Sequence, residues 1–228
     1  MKTLRWAVIT FPGSNCDRDM LHMLQHWMGQ EVHSVWHAEE KLPEVDVVVL
    51  PGGFSYGDYL RSGALASSSH VMKAVRTFTE KGGKILGICN GFQILTEAKL
   101  LPGALARNEQ KRFVCDMVGL HVPDTLLPGW DIFQNQNFHM PIAHAEGRFV
   151  ADEQTLQSLK QKGQIVLTYQ PNQNPNGSSL DIAGICSENG RVVGLMPHPE
   201  RAAAPWISSR DGLRWLSHLM EVWFPSNL

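Results

Sequence analysis

The residue with the strongest chemical context is Cys89, in Ile85-Leu86-Gly87-Ile88-Cys89-Asn90-Gly91-Phe92-Gln93-Ile94-Leu95. This is a Gly-x-Cys-x-Gly pattern between a strand-like run and a helix-like one. A nucleophile on a strand-to-helix elbow needs neighbours two residues away on either side with little or no side chain, because the turn is so tight. The thiol then projects above the sheet edge, and the N-terminus of the next helix favours thiolate over thiol. The N–H of Asn90 is placed to donate to an oxyanion. A bare Gly-x-Cys-x-Gly is more often a core cysteine beside strand-ending glycines. Its place at a strand–helix junction, where open α/β sheets put their sites, reverses that preference. Cys16 also follows a strand signal and opens a helix, but it lacks the flanking glycines and reads as structural. No Cys-x-x-Cys pair is present among Cys16, Cys89, Cys115 and Cys186, so no zinc motif is indicated.

A thiol nucleophile needs a base and a group to orient that base. Met196-Pro197-His198-Pro199-Glu200-Arg201 supplies both: His198 and Glu200 are two apart in a turn stiffened by prolines, so the carboxylate can orient the imidazole. The loop Pro51-Gly52-Gly53-Phe54-Ser55-Tyr56-Gly57-Asp58 follows a second strand at the same sheet edge. Gly52 and Gly53 let a backbone N–H approach a ligand, a second oxyanion donor beside Asn90. His144-Ala145-Glu146 is a rival His-x-Glu, but no helical pair of histidines accompanies it and no metal is expected. There is no Gly-x-Gly-x-x-Gly or Walker pattern, so nucleotide binding by this chain is unsupported.

These residues need a scaffold that brings distant loops together. Trp6–Thr10, Asp46–Leu50 and Lys84–Ile88 read as strands, with helices after Ser14 or Asn15 (the expected caps), around Leu65–Lys81 and over Gly91–Lys99. Strands buried on both faces and alternating with amphipathic helices predict an α/β fold: an open, mostly parallel sheet flanked by helices. The second half adds β elements at Phe113–Val122, Gln164–Tyr169, Ile182–Cys186 and Val192–Met196. The last two are joined across Asn189-Gly190, a hairpin-turn signal. Gln170–Ser179 reads as a loop, Thr125–Asn137 shows no clear periodicity, and a closing helix is expected over Ser209–Trp223 with Leu213, Leu216, Met220 and Trp223 inward. No repeat or linker interrupts the 228 residues, which predicts a single domain, 1–228.

Lys plus Arg number 20 and Asp plus Glu 22, so the chain has no electrostatic footprint for nucleic acid or an anionic membrane. No apolar run approaches the roughly 20 residues that span a bilayer. A cytoplasmic protein is expected, its cysteines free thiols.

The blocks Gly87–Gln93, Pro51–Ser55 and His198-Pro199-Glu200 resemble the class I (triad) glutamine amidotransferases. With Phe11–Asp17, the Phe54–Tyr59 extension, Ala143–Phe149, Asn174–Ser178 and Met196–Arg201, the resemblance narrows to the glutaminase subunits of phosphoribosylformylglycinamidine synthase. It runs from residue 11 to 201 and departs from the usual pattern at Ala145 and Asp116. The resemblance implies a flavodoxin-like core and hydrolysis of L-glutamine by Cys89, with His198 moving protons and Glu200 orienting it. It further implies Gly53 and Asn90 as oxyanion donors and Gln93 as a substrate contact. It implies no cofactor in this chain. ATP and Mg would be used by a partner large synthase subunit, with a small bridging subunit completing the complex. A stand-alone cysteine hydrolase or deglycase-like protein on a related fold is the alternative, to be distinguished by activity indifferent to any partner. A non-catalytic subunit is a third class, against which the intact triad stands.

Overall fold

The computed structural model describes residues 3–124, 127–134, 136–206 and 208–225. The strands are β1 (Arg5–Thr10), β2 (Glu31–Trp36), β3 (Val47–Leu50), β4 (Lys84–Ile88), β5 (Ala104–Ala106), β6 (Val114–His121), β7 (Asn137–His144), β8 (Arg148–Val150), β9 (Ile165–Tyr169), β10 (Ile182–Cys186) and β11 (Val192–Leu195). The helices are α1 (Asp17–His22), α2 (His70–Glu80), α3 (Asn90–Glu97), α4 (Glu153–Gln161) and α5 (Asp211–Trp223). Nine strands form one open sheet in the order β2-β1-β3-β4-β11-β10-β9-β6-β7, and β5 pairs with β8 apart from it. The strands β2, β1, β3, β4 and β11 are mutually parallel, and the remaining pairings are antiparallel.

The parallel half explains itself. Val47, Val48, Val49 and Leu50 are all buried, as are Ile85, Leu86 and Ile88, because helices and loops cover both faces. Parallel register aligns the carboxyl ends: Ile88 stands opposite Leu195 on β11, and Gly87 opposite Leu50 on β3. The residues that follow these strands therefore emerge side by side. In the antiparallel half, β6 meets β9 only through Leu120 and His121. The β6–β7 ribbon thus diverges, and its end at Pro141–Ala143 returns to the carboxyl edge, where Pro141 O accepts from His198 N–H at 2.8 Å.

Several sequence expectations shift. Neither Ser14 nor Asn15 caps α1: Ser14 Oγ accepts from Phe11 N–H instead, and the helix starts after Cys16 with no side-chain cap. It then widens into a π-turn over Met23–Trp27. The helix expected from Leu65 is broken at Ser69, whose extended backbone separates a 3-10 turn (Ala66–Ser68) from α2. On α5 the buried stripe includes Trp215 and Leu219, whereas Leu213 is only partly buried. Strand β2 and helix α4 have no counterpart among the expected elements. Strand β2 is an edge strand buried fully only at Val35, so its apolar pattern is weak. Helix α4 buries only Leu159, although Asp152 caps it by accepting from Thr155 N–H. Within Thr125–Asn137, residues 125, 126 and 135 lie outside the described residues, and Trp130–Phe133 forms a 3-10 turn.

One buried polar contact pins β1 to the helix before β2. Gln30 Oε1 accepts from Leu4 N–H at 2.8 Å and Trp6 Nε1 at 3.4 Å, while its Nε2 donates to Met28 O at 2.7 Å. Gln30→Ala orphans all three partners and is expected to destabilise the fold by roughly 2–3 kcal/mol, read from the urea midpoint. An unchanged midpoint would show that water replaces the amide.

Candidate active site

Cys89 sits where β4 turns into α3, with φ 49° and ψ −104°. A side-chain-bearing residue held there stores on the order of 1–3 kcal/mol of strain. What holds it is the surrounding backbone: its N–H donates to Leu195 O at 2.7 Å, and its carbonyl accepts from Gln93 N–H at 3.1 Å. The flanking glycines are needed sterically. A Cβ on Gly91 would lie 1.9 Å from Leu50 O, and one on Gly87 would lie 2.8 Å from Gly91 C. Cys89 is 4% exposed, and its thiol lies 3.8 Å from Ala143 O.

The imidazole of His198 and the carboxylate of Glu200 are buried beside it, with Nδ1 and Oε1 2.6 Å apart. Because Nδ1 is committed to the carboxylate, Nε2 is the nitrogen available to the thiol, and it has no hydrogen-bond partner among the described residues. Burial opposes charge on this ring, yet the Glu200 carboxylate and then Cys89 hold His198 well above the ordinary imidazole range. The pair is thus arranged to carry a proton taken from a thiol.

Gly52 and Cys16 serve this histidine. A Cβ at Gly52 would stand 2.6 Å from His198 Cε1 and 3.2 Å from Cys16 Sγ, so only glycine leaves the ring its place. The Gly52 carbonyl accepts from Cys16 N–H at 3.3 Å. Burial raises the Cys16 thiol, with His198 partly offsetting it. Ligating atoms of Cys16, His198 and Glu200 lie within 4.8 Å of one another, and two of these groups are already joined to each other by the Nδ1–carboxylate bond.

In front of Cys89 lies a cavity of about 90 Å³ whose walls include Gly53, Gln93, Ala143 and Glu146. Gly53 takes φ 140° and bridges Ser14. Asn90 ties this wall to α3: Oδ1 accepts from Ser55 N–H at 3.2 Å, and Nδ2 donates to Gln93 Oε1 at 2.9 Å. Gln93 in turn donates to Glu146 O at 2.6 Å. The structure therefore brings Cys89, His198 and Glu200 together, places Gly53 and Gln93 on the cavity, and sets Gly52 behind the histidine.

This geometry agrees with comparisons to known proteins. The family description of a CobB/CobQ-like glutamine amidotransferase domain matches residues 3–223. The chain belongs to the glutamine amidotransferase family. Within that family it falls with the glutaminase subunits of phosphoribosylformylglycinamidine synthase. It is 52% identical over 214 residues to the subunit PurQ of a Synechococcus species, covering 93% of this chain and 95% of that one. It is 50% identical to PurQ of Alkaliphilus metalliredigens over 95% of this chain and 96% of that one. The solved structure of PurLQS from Thermotoga maritima contains a chain 41% identical with TM-score 0.85, covering 97% of this chain and 99% of that one. Another glutamine amidotransferase from Thermotoga maritima, 16% identical with TM-score 0.65 over 99% of this chain and 100% of that one, shares the fold.

The amidotransferase site also rests on a polar network that motif reading passed over. Asn108 Nδ2 donates to Arg112 O and His144 O, and Oδ1 accepts from Gly147 N–H. These three contacts fix the amide orientation, so His144 Nδ1, 3.1 Å from Oδ1, must carry the proton. Its Nε2 is then a bare acceptor, buried and without a hydrogen-bond partner among the described residues. Burial, and after it the charge of His198, push His144 down to about 4. Asn176 completes the support by donating to Gly147 O at 2.9 Å and to Tyr169 OH at 3.2 Å. Side-chain amides that bond mainly to loop backbone leave no periodic signal in a sequence; the clustered asparagines were the only hint.

Two measurements check these roles. Gly52→Ala is expected to fold but to displace His198, slowing iodoacetamide alkylation of Cys89 at neutral pH by about tenfold or more. Gly91→Ala, which meets backbone, is expected not to fold. An unaltered rate in the first variant would separate Gly52 from the histidine. Because His144 is depressed in the folded state, the unfolded chain binds the extra proton between the ordinary value near 6.5 and about 4. Its contribution is present above that window and is lost as pH falls through it, by about 3 kcal/mol at most. His144→Gln should flatten the acid loss of stability measured by denaturation at several pH values. A slope identical to wild type would refute the neutral acceptor.

Proposed function

We propose that this chain hydrolyses L-glutamine at Cys89 and hands the ammonia to a separate ATP-dependent synthase subunit, which converts formylglycinamide ribonucleotide to formylglycinamidine ribonucleotide in purine biosynthesis. One observation carries the reading: a buried thiol on a left-handed elbow at the start of α3, beside a buried His198–Glu200 pair joined at 2.6 Å. His198 Nε2 takes the thiol proton, and Sγ attacks the side-chain amide carbon. The N–H groups of Asn90 and Gly53 receive the developing oxyanion. His198 returns the proton to the leaving nitrogen, releasing ammonia and a γ-glutamyl thioester. Water, deprotonated by the same imidazole, then gives glutamate. Glu200 keeps Nδ1 protonated and oriented throughout. Gln93 contributes a wall to the substrate cavity and Gly52 leaves room for the base.

The Thermotoga relative was solved as part of PurLQS, which supports assembly with a large synthase subunit, and we extend that to a small bridging subunit. ATP and Mg belong to the synthase, and this chain, one amidotransferase domain over 1–228, uses no cofactor. No helix among the described residues is long and apolar enough to cross a membrane, which accords with work in the cytoplasm. The near full-length likeness to glutaminase subunits leaves a stand-alone cysteine hydrolase without support.

A glutamine-analogue diazoketone should label Cys89, and glutamine should block the adduct mapped by mass spectrometry. Labelling elsewhere, or none with synthase partners present, would sink the assignment. Glutamine hydrolysis should also rise when synthase, ATP and ribonucleotide are supplied, and equal rates with and without them would count against the role within a synthase complex.

A further inference from the structure

One pair of side chains that the triad chemistry does not use has the spacing of a metal chelate. His22-Met23-Leu24-Gln25-His26 is a His-x-x-x-His run that begins at the last residue of α1 and ends inside the π-turn. Two histidines four apart on a helix share one face, the arrangement by which helical motifs hold a transition-metal ion. Here the imidazole centroids are 4.7 Å apart, with the ring planes at 39°. Met23 and Leu24 between them are buried, whereas both imidazoles are exposed. Among the described residues neither imidazole has a hydrogen-bond or ion-pair partner, so their nitrogens are committed to no other group.

The π-turn accounts for the close approach of the rings. In an α-helix four residues wind the chain by about 400°, an overshoot of about 40° that splays side chains four apart. Met23–Trp27 is wound more widely, with Met28 N–H donating to Met23 O at 3.1 Å across five residues. Each residue then turns through a smaller angle, which brings His26 round towards His22; such single π-turns recur at functional sites. The Trp27 ring stands edge-on to His22 at 6.4 Å and lies 5.4 Å from Trp206, so indoles close one flank of the pair.

We propose that His22 and His26 form a two-imidazole site for a divalent first-row transition ion of the Ni2+, Cu2+ or Zn2+ class. Imidazole suits these ions, whereas Mg2+ and Ca2+ take oxygen ligands. Asp19, one turn earlier, is engaged by Arg201 at 3.2 Å, so the two imidazoles are the protein's ligands and water completes the coordination. An ion held by one ring meets the other at high effective concentration, and this sets the pair above any single histidine. The site is independent of the glutaminase reading, and no step of amide hydrolysis passes through it.

The test titrates the full chain with Ni2+ alone, followed by calorimetry and by the thermal midpoint. The wild type should bind Ni2+, and its midpoint should rise as the ion is added, because binding favours the folded state. His22→Gln and His26→Gln should each weaken that binding by about tenfold or more and remove most of the rise. His33→Gln takes away another exposed histidine, one 3.1 Å from Glu31, and should change neither readout. All four cysteines stay in every variant, so any binding by thiols is a common background. Both histidines are exposed, so without metal the variants should match the wild-type midpoint. Mg2+ at the same concentration should leave the midpoint where it was. The assignment is overturned if either histidine can be removed with no loss of Ni2+ affinity, or if His33→Gln lowers it as much. It is overturned equally if the wild type binds Ni2+ no more tightly than the two variants, or if Mg2+ raises the midpoint as Ni2+ does.

Discussion

The parallel pairing of β4 with β11 is the constraint on which the site depends. It sets Ile88 opposite Leu195, and the next residues along the two strands are Cys89 and the turn to His198. The bond from Cys89 N–H to Leu195 O extends that ladder by one rung, into the strained elbow itself. Hydrogen bonds of the sheet thus hold a backbone conformation that the residue would not otherwise adopt. The same pairing explains the small residues around it. The elbow passes within touching distance of Leu50 on β3, and the histidine turn passes over Gly52. Three adjacent parallel strands end together, and each leads into one part of the candidate site.

The balance of charge in this buried space follows from the pairing of groups. A thiol, an imidazole and a carboxylate would each resist ionisation alone. Together they make a chain in which Glu200, and after it Cys89, offsets the burial of His198. His144 lacks a carboxylate partner and is held neutral by the same burial that His198 overcomes. Two histidines close in space are thereby pushed in opposite directions, His198 up and His144 down.

Much of this was legible in the residues. The strand–elbow–helix of 84–97 could be read from apolar patterning and two glycines, and the hairpin at Asn189-Gly190 from its turn chemistry. The His198–Glu200 pair stood out by spacing between prolines. Other parts were hidden for physical reasons. The π-turn at Met23–Trp27 interrupts the helix expected after Ser14 or Asn15, and Ser14 spent its hydroxyl on its own turn rather than on capping a helix. Strand β2 is half exposed at the sheet edge, and α4 buries a single leucine, so neither writes a strong period. Gly52 looked like a ligand-facing glycine, but its freedom from a side chain is used by a residue far along the chain. Such long-range clearances, like the asparagine braces at Asn108 and Asn176, exist only after folding.

The position of β11 has a consequence for the order in which the molecule is built. It is a central strand inserted between β4 and β10, although it is the last strand in the sequence. During vectorial synthesis, β1 to β4 can form and Cys89 can be covered well before residues 192–200 exist. Until β11 enters, the thiol has no imidazole beside it and its elbow lacks the Leu195 carbonyl that holds it. A nascent or truncated chain therefore carries Cys89 without the neighbours that surround it in the finished fold, and they arrive only when the sheet is completed from its middle.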